Sequence, residues 1–347
     1  MKKKLMVGLL VLGVLIVGCS KDKEEKEVKK EPEKTEVQAE AEVEKKTYFT
    51  PFTGLEVEQK PKMRPVMVTI NNHPQARPQS GLTSADLVYE MVAEGNITRL
   101  LAVFQSELPE NMGPVRSARE YFVDLAKGLD AFYIAHGYSP DAQRMLSAGV
   151  VDNINGMQYD GSLFQRSTDR VAPHNSYISD ENVKLGFKKV GASLKMQKKV
   201  PFSFYESAED VKIEKYISKI DIRYGVDEQF HNTYTFNEDS KLYERQSGGV
   251  VTKDLLNDES VQVANVLFFE VNQSTVDQKG RQSLDLNSGG NGYVFQAGQK
   301  LDVKWRNVDG VLVPYTNDQP VKLVPGKSWI HLVPSNPGLA KAVTYEP

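Results

Sequence analysis

Two carboxylates, two histidines and four arginines are the groups of this sequence whose types and spacing could do chemistry. Glu90 and Glu94 stand four residues apart in "YEMVAEGNITR". If Leu87 to Ala93 is a strand, Glu90 shares a face with Val88 and Val92, and a carboxylate among apolar neighbours is costly to bury unless paired. It is therefore half of an ion pair or a site carboxylate able to act as acid or base. Along a regular strand, two acids four apart are separated by about 13 Å, whereas a glycosidase pair needs roughly 5–9.5 Å. A bend at Glu94-Gly95 would shorten the gap. His136 in "AHGYSPDAQ" and His174 in "QRSTDRVAPHNSY" fall at a strand end and in a turn, where either could assist proton transfer. A hydrogen-bonded structural role is the alternative for each. Their spacing matches no metal motif, so no metal is expected.

The arginines point to anions. "GPVRSAREYF" reads as a Gly113-Pro114 turn followed by a helix, with Ser117 and Glu120 as a capping box and Ala118 as the first helical residue. Arg116 and Arg119 then sit at the positive end of the helix dipole, where a cation costs about 0.3–1 kcal/mol. Compensation comes from an anionic ligand on the helix N–H groups and guanidiniums, or from Glu90, Glu94 and Glu120. Arg99 and Arg170 extend the candidate binding set.

The elements that must position these groups follow from the hydrophobic pattern. Strands are expected over Val66–Ile70, Leu87–Ala93 and Arg99–Gln105, with "EGNIT" as the turn between the last two. A helix runs to about Lys127, "DAFYIAHGYS" gives a further strand, and "PDAQRMLSAG" gives a short helix closed by Gly149. From about Ile213 the chain turns to short β runs, with Ser247-Gly248-Gly249 and Pro325-Gly326-Lys327 as turns. The expected fold class is α+β: an N-terminal α/β layered domain over residues 48–210, then a mostly β domain over 211–347. Strands could cross the boundary near 200–225. Trp305 and Trp329 are expected in the core.

The N-terminus concerns location. Lys2, Lys3 and Lys4 precede an apolar run from Leu5 to Val17, which ends in Ile16-Val17-Gly18-Cys19. That order describes an export signal over residues 1–18, and the run is too short for a span of roughly 20 apolar residues. The small residue before Cys19 resembles the lipobox of bacterial lipoproteins, in which the cysteine is acylated. Cys19 is the only cysteine, so disulfides, a Cys-based metal site and a Cys nucleophile are excluded. Residues 19–47 form a charged linker; Ser20–Lys46 holds eight lysines and ten acids and no aromatic residue, too little apolar surface to fold alone. Loss of the signal lysines takes the formal charge from −3 to −6, which argues against nucleic acid as a partner of the exported part. No P-loop, dinucleotide fingerprint or Gly-x-Ser-x-Gly elbow appears, and no cofactor is expected.

Together the lipobox, "DLVYEMVAEGNITR", "GPVRSAREYF", "AHGYS", "APHNSY" and the late "NGYVF…W…PGKSWIHLVP" resemble the YerB-like lipoprotein family. Its members are two-domain bacterial proteins, mostly Gram-positive, with domains of unknown function. The resemblance spans nearly all of the chain after the linker. Asn96 departs from it, standing where a second glycine is expected. It implies lipid anchoring on the extracytoplasmic face of the cell membrane and carries no reaction. Three readings remain. The first is a non-enzymatic envelope lipoprotein binding an anionic cell-wall ligand, or a protein partner, through Arg99, Arg116, Arg119 and Arg170. The second is a glycan hydrolase or lyase using Glu90 or Glu94 with His136 or His174. The third is a structural interaction module in which the polar cluster is an ion-pair network.

Overall fold

The computed structural model describes residues 47–213 and 216–347; the expected signal peptide, the expected lipidation at Cys19 and the expected linker up to residue 46 lie outside the described residues. Residues from Lys46 to the C-terminus form one compact unit. Its large apolar cores are built from many fully buried side chains among the described residues.

The N-terminal half supplies β1 (Val66–Asn71), β2 (Leu87–Glu94), β3 (Ile97–Phe104), α1 (Glu120–Gly128), β4 (Phe132–Ala135), α2 (Pro140–Ser147), β5 (Asn153–Asn155) and α3 (Asp180–Val190). Every residue of β1 is buried, as its near-continuous apolar run requires of a strand covered on both faces. β2 and β3 form a hairpin across Gly95-Asn96, and Gly95 takes the positive φ that a two-residue hairpin loop needs. Ser139 caps α2 and Gly149 lies in the left-handed region after it.

The C-terminal half supplies β6 (Lys219–Ile222), β7 (Asn232–Asn237), β8 (Leu242–Ser247), β9 (Val250–Val251), β10 (Asn265–Thr275), β11 (Gly290–Gln296), β12 (Gln299–Val308), β13 (Val311–Thr316), β14 (Ser328–Pro334) and β15 (Val343–Glu346). The α+β class expected from the pattern is the class observed. The decisive element is β14. It enters in parallel between β10 and β2, setting His331 beside Glu90 and Trp329 beside Val88. A twelve-stranded sheet therefore runs from β13 through β12, β11, β10, β14, β2, β3, β1 and β4 to β5, with the remaining short strands at one end and beside β10. It takes strands from both sides of residues 210 and 211. The order β9-β8-β7-β6-β15 makes a second sheet.

One face of the large sheet, with Met67, Met91 and Leu101, packs on α1 and α2 through Phe122, Leu125 and Ala142. The other, with Val68, Val88 and Val92, packs on α3 and the second sheet through Phe187, Ile220 and Tyr234. Among the described residues no helix is long and apolar enough to cross a membrane.

One local expectation is corrected. The helix begins at Glu120, not Ala118; Arg119 is its N-cap residue and no side chain caps it. Gly113–Arg119 is extended instead. Asn71 N donates to Pro114 O, Arg116 N to Thr69 O, Val115 N to Ser176 O and Ala118 N to Gly137 O. With its amides spent on β1 and on the loop after β4, the segment cannot wind into a helix. Ser117 Oγ donates to His136 O at 3.3 Å rather than capping.

Candidate functional site

The extended segment lays Arg116 and Arg119 at one end of the large sheet, where β3 presents Arg99. A β-bulge completes the group. The β2/β3 register slips between Val92 and Glu94, and such a slip turns the following side chain to the opposite face. Glu94 thereby leaves the face of Glu90 and joins that of Arg99. Its Oε1 accepts from both Arg99 and Arg119. Arg99 also donates to Ser117 O at 2.8 Å and Arg119 to Ala118 O at 2.9 Å. Both guanidiniums are buried, while the Glu94 side chain is 31 % exposed.

Arg116 is the odd member. Among the described residues its side chain makes no hydrogen bond and no ion pair, and its Nε is buried without a partner. Burial lowers its pKa, with Arg119 adding to this and Glu94 opposing. Burial and then Arg119 push Arg99 down to about 9. Three guanidiniums thus share one carboxylate that is about one-third exposed, an excess of positive charge suited to an anion.

Glu90 is elsewhere. It is 0 % exposed on the opposite face of the sheet. It accepts from Asn72 at 3.2 Å, Thr98 at 3.0 Å, Asn232 at 3.0 Å, Arg245 at 2.8 Å and Trp329 Nε1 at 3.0 Å. Burial, the largest single influence, would raise its pKa; the Arg245 guanidinium, His331 and the hydrogen bonds from Arg245 and Asn232 together outweigh it and hold the carboxyl below its usual value. Arg245 lies over the Trp329 ring at 4.4 Å and donates to Asn232 and Thr252. His331, 3.9 Å from Glu90, is pushed down to about 3 by burial, so it is neutral. Its bonds fix a consistent proton order: Tyr234 OH donates to Nε2 at 2.8 Å, Nδ1–H donates to Tyr224 at 2.7 Å, and Tyr224 OH donates to Glu90 O at 3.0 Å. Glu90 and Glu94 thus point to opposite faces of the sheet, and every Glu90 bond is internal.

The histidines also separate. His136 ends β4 as expected, but its ring is held, with Nδ1 on Ser176 at 2.7 Å and Nε2 accepting from Arg166 at 3.1 Å beside Asp160. A Cβ on Gly156 would meet this ring at 2.2 Å, so glycine is needed there. His174 stacks on His73 with ring centroids 4.6 Å apart, and its Nδ1 accepts from Asn71 at 2.8 Å. The pKa of His174 is lowered by burial, then by His73 and Arg116; that of His73 by burial, then by Arg116 and Arg77. Both rings are thus neutral neighbours of Arg116. Arg170 turns away, donating to Ala76 O, Tyr177 OH and Pro78 O at 2.7–2.8 Å. Among the described residues no group of three His, Cys, Asp or Glu could hold a metal.

Sequence reasoning missed His73, Asn72, Asn232, Arg245 and His331. A signal existed for two of them. His331 is a polar residue inside the apolar run "SWIHLVP", and Arg245 alternates with buried Tyr243 and Ser247 in β8.

Residues 52–193 match a family described as protein of unknown function (DUF3048), N-terminal domain, and residues 220–330 match its C-terminal domain. The curated Bacillus subtilis (strain 168) protein named "Putative lipoprotein YerB" is 44 % identical over 286 residues, 82 % of this chain and 86 % of the relative. The crystal structure of YerB protein from Bacillus subtilis superimposes with a TM-score of 0.80 at 41 % identity, covering 86 % of this chain and all of that one. With both domains matched in order and this identity over most of the chain, the protein belongs to the YerB-like DUF3048 family.

Proposed function

We propose that the protein is a lipid-anchored extracytoplasmic lipoprotein whose folded part binds an anionic envelope ligand at Arg99, Arg116 and Arg119, without catalysing a reaction. Residues 1–18 are its signal, Cys19 its lipidated residue and 19–47 a spacer. A lipoprotein name on a 44 % identical relative supports the anchoring. Arg116 carries the binding claim. A guanidinium with a buried, partnerless Nε beside two further guanidiniums is an unfavourable arrangement for stability alone. A carboxylate or phosphate on Arg116 would relieve it. Against catalysis by a Glu90–Glu94 pair stands the enclosure of Glu90, which is wholly buried.

The test uses residues 48–347, which enclose both cores. Added phosphate or a muropeptide should raise the melting temperature, and Arg116→Ala should abolish the rise. Absence of any rise, or a rise kept in Arg116→Ala, refutes the reading. Mass spectrometry of incubated peptidoglycan should show no released fragments. Release that disappears in Glu94→Gln would favour the hydrolase instead.

A further inference from the structure

A second basic site lies on the Glu90 side of the sheet. A pocket of about 410 Å³ is walled by Pro74, Arg77 and Pro78 from the segment after β1 and by Arg245, Ser247 and Val250 from β8 and β9. This is within the range of small-molecule sites. Lys253 joins its lining, and no acid does.

The charge balance there is uneven. All three bonds of Arg77 go to neutral oxygens: Asn72 Oδ1 at 3.3 Å, Asn72 O at 2.9 Å and Gln229 O at 2.8 Å. Asp227 acts on it without forming an ion pair, and burial and then Arg245 push its pKa down to about 10. Lys253 is paired with Asp258 at 2.7 Å. Arg77 and Arg245 thus share Glu90, which is wholly buried and bonded to Arg245. One positive charge is left over at the pocket wall. Two buried polar atoms of the wall, Arg245 Nε and Ser247 Oγ, have no partner, and such atoms are rare in folded proteins unless something meets them. The rest of the wall sets Pro74, Pro78, Val250 and Val251 beside the neutral polar Gln79, Gln229 and Thr252, with Val250 69 % exposed at the rim.

The geometry points to this pocket as a binding site for an aliphatic monocarboxylate, with the carboxylate on Arg77 and the Ser247 hydroxyl and the chain against Pro74, Pro78 and Val250. One excess charge calls for a monoanion, and the prolines and valines of the wall call for an apolar body. A free short-chain acid and the C-terminal carboxylate of a peptide ending in valine share this chemistry.

Calorimetric titration of the 48–347 protein with hexanoate, hexanamide, and Gly-Val with a free or amidated C-terminus tests it. At least one acid should saturate, about tenfold or more tighter than its amide, since a charge-assisted bond is worth that much. Val250→Glu, at an exposed position, and Arg77→Gln should each weaken the acid about tenfold or more, with the fold checked by circular dichroism. Which acid binds identifies the source. Arg116→Ala should leave the affinity within about twofold. The proposal is overturned if neither acid saturates, if amides bind as well as acids, or if Arg116→Ala removes binding while Val250→Glu does not.

Discussion

Glu90 and Glu94 lie on one strand, four residues apart, and the chain treats them oppositely. Glu90 is wholly buried, meets five donors and faces one guanidinium bonded to it and a neutral histidine. Glu94 is about one-third exposed and faces three guanidiniums, of which two bond to it. The first is balanced, the second is not. A buried carboxylate is tolerable only when its charge is matched and its lone pairs are filled, so Glu90 itself has no free oxygen to act as acid or base on a ligand. The Glu94 group retains spare positive charge near solvent. A single bulge makes this division by sending consecutive acids to different faces.

The comparison breaks most visibly at Glu90. Glu90→Gln leaves Arg245 buried without its anion and should cost about 3–5 kcal/mol, read by urea denaturation. A cost under about 1 kcal/mol would mean the cage does not hold the two sheets together. The next effect is pH-dependent. His331 has a folded pKa of about 3 against an ordinary 6.5, because burial opposes its charge. A depressed base contributes its stability above pH 6.5 and loses it as the pH falls from 6.5 towards 3, by on the order of a few kcal/mol. His331→Phe keeps the stack on Phe268 and should flatten that limb of the stability–pH curve. An unchanged slope would place the acid sensitivity elsewhere.

Much of this arrangement was legible in the residues, and the failures have one cause. β1, β2, β3 and α2 follow from local period and turn chemistry, so they fall within a residue or two of their expected bounds. Charge at the supposed helix start points to Glu90, Glu94 and Glu120 as partners of Arg116 and Arg119, and of these Glu94 is the one that meets Arg119, together with Arg99. The start itself was misplaced, since the 113–119 amides bond to Thr69, Gly137 and Ser176, partners the local pattern cannot reveal. The same holds for β14. Its insertion beside β2 joins Ser328 to Leu87 from opposite halves of the folded chain, and together with the second sheet it buries Glu90. The bulge at Val92–Glu94 hides too, because strict alternation puts Glu94 on the face of Glu90.

Smaller effects sharpen the contrast. Glu94→Gln removes a partly exposed partner of two guanidiniums, and should cost about 1–2 kcal/mol, between a surface pair and a buried one. A cost matching that of Glu90→Gln would erase the difference between the two sites.

Arg116→Ala should do least to stability, within about 0.5 kcal/mol of the parent. Its side chain has no hydrogen bond or ion pair to lose among the described residues, and its removal relieves repulsion by Arg119. Some packing of its half-buried stem is lost, which offsets the relief. The two contributions separate by salt: repulsion is screened and packing is not. Unfolding measured at low and high ionic strength should therefore show the variant gaining relative to the parent at low salt. Truncating Arg245, a guanidinium of the same chemistry, should cost several kcal/mol in the same assay because it strands Glu90. A cost near that size at Arg116 would give this arginine a structural partner and end its claim to be held ready for a ligand.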